Sequence, residues 1–185
     1  MEFTFTLKYQ LTDDDRDPDA LVERLGEVGC DDALVGIGQP GRLALEFTRE
    51  AADADQAVRS ALADVRRAVP SARLIEVAPD LVGLTDVADI VGVSRQNMRK
   101  LMLAHPGGFP APVHEGSASI WHLADILAWL QAKGNYALDQ GVLDVAQVAL
   151  QVNVAKEGRR LPRSASRALA ALEESHHRSP PSRCR

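Results

Sequence analysis

The chain has 185 residues, 45% hydrophobic and only 4% aromatic, with a formal net charge of −5. That length admits one large or two small domains, each with a modest core that Ala, Val and Leu must largely fill. No window reaches the roughly eighteen apolar residues of a membrane span, and the first residues lack the basic and apolar stretch of a secretory signal, so the expectation is a cytoplasmic protein with no membrane partner.

Residues 2–9 alternate Phe3, Phe5, Leu7 and Tyr9 with Glu2, Thr4, Thr6 and Lys8, the period-two pattern of a strand with one buried face. After the acidic turn Thr12–Asp19, Leu21, Val22, Leu25 and Val28 recur at helical spacing, and Gly26 and Gly29 weaken or cap the end. Cys30 closes this helix as a small core residue. Residues 31–50 read as two strands around a GQPG turn, with Leu43, Leu45 and Phe47 alternating against Arg42, Ala44 and Glu46. Ala57, Val58, Ala61, Leu62, Val65 and Val69 then share one helical face, with Asp residues early and Arg66-Arg67 late, as the helix dipole favours. A short strand follows and ends at Pro79.

The order strand, helix, hairpin, helix, strand over residues 1–79 predicts a ferredoxin-like βαββαβ sandwich, four antiparallel strands with two helices on one face. The fold class is therefore α+β. That sandwich hosts many activities. Phe3, Phe5 and Phe47 are expected to face the core rather than stack on bases, so dimerisation or sensing is the expected role of this domain. No paired carboxylates, nucleophile-base set or phosphate loop stands out anywhere, and no enzyme activity is expected.

Residues 80–134 form the second predicted domain. Thr85 is placed to cap a helix containing Val87, Ala88, Ile90 and Val91, with Asp86 in its first turn. Gly92 supplies the left-handed stop, Val93 fills the corner, and Ser94 caps a second helix from Arg95. On that helix Met98, Leu101 and Met102 share the inward face, Gln96 and Lys100 point opposite with Arg99 and Leu103 beside them, and Arg95 and Asn97 flank. Arg, Gln and Asn at a capped helix N-terminus offer donors for phosphate and for base edges, as a recognition helix requires; two core helices with a solvated face would show the same pattern. The next residues favour the first reading. Short strands around Pro112–His114 and Ala118–Trp121, joined at Glu115-Gly116, predict a wing able to touch phosphate or minor groove, and a helix with Leu123, Ile126, Leu127 and Leu130 on its core face follows. Trp121 and Trp129 are expected in the core, and His105, His114 and His122 are expected to be structural rather than metal ligands, with His114 alone in reach of DNA.

The stretches LTDVADIVGVSRQNMRKLM, FPAPV and IWHLADILAWL, between Leu84 and Leu130, resemble the winged helix-turn-helix of the MerR-like superfamily, especially its AlpA-type prophage regulators and excisionase-like members. The resemblance covers about a quarter of the chain. It implies a recognition helix over Ser94–Leu103, a wing over Val113–Ile120, and a role in transcriptional control or in DNA architecture during recombination.

Residues 135–157 carry Val142, Val145, Ala146, Val148, Ala149 and Val152 in a run suited to a long helix, and residues 158–185 read as a basic, mostly disordered tail that either attracts phosphate or is merely solvated. Cys184 lies in that tail, and with no CxxC or Cys/His spacing neither a metal, a cofactor nor a disulfide is expected. Charge is unevenly spread: residues 1–80 hold nine Lys/Arg against seventeen Asp/Glu, residues 81–135 four against four, and residues 136–185 eight against five. A neutral central segment with Glu115 on its wing predicts weak, salt-sensitive DNA binding by one subunit, and hence a homodimer. The expected function is a transcriptional regulator of double-stranded DNA. Gln96, Asn97, Arg99 and Lys100 would make groove contacts, Ser94 and Arg95 would lie nearer phosphate, and His114 and Ser117 would act from the wing. The alternative is an adaptor or antitoxin-like module whose winged domain takes a protein partner, which the acidic N-terminal half could attract.

Overall fold

A computed structural model describes residues 1–15, 17–162 and 165, and it is a mixed α+β chain with two antiparallel sheets. Strand β1 (Glu2–Gln10) buries Phe3, Phe5, Leu7 and Tyr9, as its alternation predicts. Strand β3 (Arg42–Glu50) lies beside it in the register Phe5↔Phe47 and Leu7↔Leu45, so both apolar sets fall on one face. The rings of Phe5 and Phe47 stack with centroids 5.4 Å apart, a cross-strand aromatic pair of the kind that stabilises a sheet. Strand β2 (Ala33–Gly36) covers the far edge of β3, and β4 (Arg73–Ala78) the free edge of β1, in the order β2-β3-β1-β4.

Two helices complete this part. In α1 (Pro18–Glu27), Asp17 caps the N-terminus and Pro18 occupies the first turn, where its missing N–H costs nothing. Its buried stripe is Leu21 and Leu25; Val22, expected on that stripe, is exposed, because it stands about 80° round the helix from the middle of the Leu21–Leu25 row. Helix α2 (Ala54–Ala68) is capped by Asp53 and buries Ala57, Val58, Ala61 and Val65 against β1, β3 and α1. Cys30 is buried, as expected, and burial with the nearby Asp64 carboxylate pushes its thiol up to about 11.

One inward position of β3 breaks the apolar alternation. Arg49 is 8% exposed, beside Phe47 with its guanidinium 4.9 Å from the ring centre. Its Nε and Nη2 donate to Asp32 at 2.6 and 3.0 Å, and its Nη1 to Asp64 at 2.7 Å and Ser60 at 3.0 Å. A fork of five donors satisfied this fully can sit in a core where a lone charge could not.

The second sheet is small. Strand β5 (Leu81–Val82), which periodicity does not reveal, pairs with β7 (Ser119–His122), and β7 pairs with β6 (His114–Glu115). The hairpin strands sit slightly later than expected. Pro112 lacks an N–H to donate and stays outside, and the ladder begins with Val113 N–H to Ile120 O at 2.8 Å. Around this sheet lie α3 (Leu84–Val91), α4 (Arg95–Ala104) and α5 (Leu123–Lys133). They share a core of Val82, Val87, Ala88, Met98, Trp121, Leu123, Ile126, Leu127 and Leu130.

Helix α6 (Gln140–Gly158) starts five residues later than expected, at an Asp139 whose carboxylate accepts from Val142 N–H at 3.0 Å. The chain divides into two compact units, Met1–Gln151 and Val152–Arg185. In the first, Ala146 of α6 joins the core just named, with Val142, Leu143 and Leu150 against it. In the second, α6 ends where Glu157 accepts from Lys156 at 3.0 Å and Arg160 at 2.8 Å. Most of the basic tail expected at 158–185, with Cys184, lies outside the described residues. No helix among the described residues is long and apolar enough to cross a membrane.

Candidate nucleic-acid interface

The helix pair α3–α4 is set by its ends. Thr85 does not cap α3, as expected of it; it lies within the first turn. Gly83 is the cap, and the Asp86 carboxylate three residues on accepts the Gly83 N–H at 2.8 Å. The reason is Asp86 itself, whose reach back to Gly83 satisfies a free donor at the helix start, so no hydroxyl is needed. The C-terminal end follows expectation. Gly92 adopts φ 74° and ψ 33°, and Val93 N–H returns to Ala88 O at 2.9 Å. This left-handed stop turns the chain at once into Ser94, whose Oγ accepts from Asn97 N–H at 3.2 Å and caps α4.

Met98 anchors α4 at 1% exposure, with Leu101 and Met102 half-buried against the same core. By the 3.6-residue period the opposite row is Gln96, Lys100 and Leu103, with Asn97 and Arg99 at its sides and Arg95 one turn before Arg99 on that flank. All six are exposed, as is Ser94. Helix α4 contains no acid. Several cations elsewhere are tied down: Lys8 to Glu76, Arg24 to Asp15, Arg59 to Asp55, Arg67 to Asp64, and Lys133 over the Trp129 ring. Arg95, Arg99 and Lys100 have no such partner among the described residues. Three cations, two side-chain amides and the free N–H groups of a helix start thus share one solvent-facing surface.

His114 and Ser117 are placed on the β6–β7 hairpin, both exposed. They are tied to α4 through the shared core, to which α4 contributes Met98 and β7 contributes Trp121. The connection between α4 and the hairpin is pinned. Trp121 Nε1 donates to Pro110 O at 3.0 Å, and Phe109 meets the edges of Trp121 and Trp129 with centroids 6.1 and 5.1 Å away. Trp121 is buried and Trp129 half-buried, as expected of core aromatics.

His122 faces the Asp80 carboxylate, 2.7 Å from Nδ1 to Oδ1, and Asp80 is only 1% exposed. Leu123 N–H also donates to Asp80 O at 2.7 Å. Asp80 therefore locks the start of the small sheet to the start of α5. Nothing in the sequence marks this pair, whose members stand 42 residues apart. Leu103 is the other residue without an assigned role: the helical period places it on the outward row, away from the core, and a leucine side chain offers nothing to a phosphate. Compared with protein-family profiles, curated proteins and solved structures, the chain matches none.

Proposed function

We propose that the chain is a sequence-specific transcriptional regulator of double-stranded DNA, with a ferredoxin-like domain followed by a winged helix-turn-helix of the MerR-like kind. The strand order β2-β3-β1-β4 with its two intervening helices supports the first assignment. The capped pair α3–α4, its glycine turn and the following hairpin support the second.

The single observation that carries the function is the outward face of α4, where Arg95, Arg99 and Lys100 stand exposed without an acid on the helix. Like charges held together at a surface repel one another, and a polyanion relieves that repulsion. The major groove, about 12 Å wide, admits such a helix, and Gln96 and Asn97 supply the paired donor and acceptor that adenine edges take. Ser94 and Arg95, at the helix start, lie nearest a phosphate, while His114 and Ser117 approach the backbone from the wing. Few cations per subunit make a homodimer on an inverted repeat the working form.

The test is selection of bound duplexes from a random pool at fixed salt, with oligomeric state measured alongside. An enriched motif repeated about 10 base pairs apart is expected. No enrichment, together with co-purification of a basic protein, would replace this reading with the adaptor one.

A further inference from the structure

Helix α4 has four large apolar side chains, and three of them go inward. The fourth, Leu103, is 61% exposed. It is no stray on a helix flank: Gln96, Lys100 and Leu103 follow the i, i+4, i+7 spacing and form the row directly opposite Met98. Packing therefore does not explain Leu103, and a solvated face would be served as well by a polar residue.

Resting on the DNA reading of α4, we infer that Leu103 is a specificity-determining residue that contacts the 5-methyl group of a thymine. From Gln96 to Leu103 the helix rises seven steps, about 10 Å at 1.5 Å per residue. Base pairs are stacked about 3.4 Å apart, so the row spans about three steps. Gln96 matches the N6 and N7 edge of adenine, Lys100 the O6 and N7 acceptors of guanine, and an apolar side chain the methyl of thymine. Leu103 adds what the polar residues cannot, a reward for one base that neither charge nor hydrogen bonding provides. Such a contact is insensitive to salt, whereas each phosphate contact steepens the salt dependence.

The experiment uses the full chain and a duplex selected from a random pool. Each thymine in turn is replaced by deoxyuridine, which lacks the methyl and keeps the pairing. At one position the wild type is expected to lose about fourfold in affinity, the worth of one buried methyl group. Leu103→Ala is expected to bind the thymine and deoxyuridine duplexes equally, with an unchanged thermal midpoint and an unchanged slope of log affinity against log salt. Lys100→Ala, by contrast, weakens binding to the selected duplex and leaves the methyl effect in place. The inference falls if no deoxyuridine substitution weakens the wild type, or if Leu103→Ala keeps the methyl preference; in both cases DNA is still bound and the function stands. If no duplex is selected, and Leu103→Ala instead breaks a complex with a protein, both fall together.

Discussion

Arg49 carries the largest electrostatic stake at a single residue. Hydrogen bonds donated to Asp32, and then to Asp64, hold its guanidinium charged despite burial. Truncation to alanine would leave Asp32 and Asp64 facing each other across a polar void. Urea unfolding should show a loss of about 3 kcal/mol; a loss under 1 kcal/mol would mean that the cluster is not a structural unit. Asp15 makes a pH-dependent contribution. Its carboxylate accepts from the Ser71 hydroxyl, from Arg24 Nη2 at 2.8 Å and from the Thr12 hydroxyl at 3.2 Å, and these hold it below the ordinary carboxylate range. A carboxyl group depressed in the folded state stabilises above its unfolded value, and the stabilisation is lost as pH falls through the folded value. Asp15→Asn should therefore flatten the acid limb of the stability curve and leave its slope near pH 7 unchanged, as thermal unfolding across pH 2–7 would show. Neither group was legible in advance. A run of five Asp within Asp13–Asp19 reads as a solvated turn, and the alternation of Leu43, Leu45 and Phe47 puts Arg49 on the inward side of β3 without showing the distant partners that let a charge stay there.

At the scale of the element, legibility followed length and punctuation. The nine-residue alternation of β1, the Gly92–Ser94 punctuation and the Leu123–Leu130 stripe all appear where the periods place them, because burial, a left-handed glycine and a capping hydroxyl each act within a few residues. Two-residue β5 has no period to read, and α3 starts two residues before the start that a Thr85 cap would give, because the Asp86 carboxylate reaches back to the Gly83 N–H. The outward row of α4 was legible by its spacing, with Leu103 in it but without a role. Gly92 offers the sharpest test of the helix pair. Its φ of 74° costs an L side chain about 1–2 kcal/mol. Gly92→Ala should lower stability by that amount in chemical denaturation, and should weaken DNA binding by more than the same change at Gly107, where φ is not positive and no atom would meet an added Cβ within 4 Å. Equal effects at the two sites would mean that the angle between α3 and α4 does not matter.

Across the whole molecule, charge sets the terms. The first 80 residues hold nearly twice as many acids as bases, the central stretch is balanced, and the exposed cations of α4 stand against that background. On the proposed function, a polyanion would meet the cationic face of α4 and be repelled by the acidic first 80 residues, which would orient the encounter and make affinity fall steeply with salt. The proposed function requires α4 to be the face that a polyanion meets. The most direct measurement is a mobility shift of the selected duplex with Arg99→Ala and Lys100→Ala, each across a salt series. Both should bind at least about tenfold more weakly, the low end of a lost charge-assisted contact, with folding unchanged. Wild-type affinity and an unaltered salt slope in both variants would contradict the claim that this helix faces DNA.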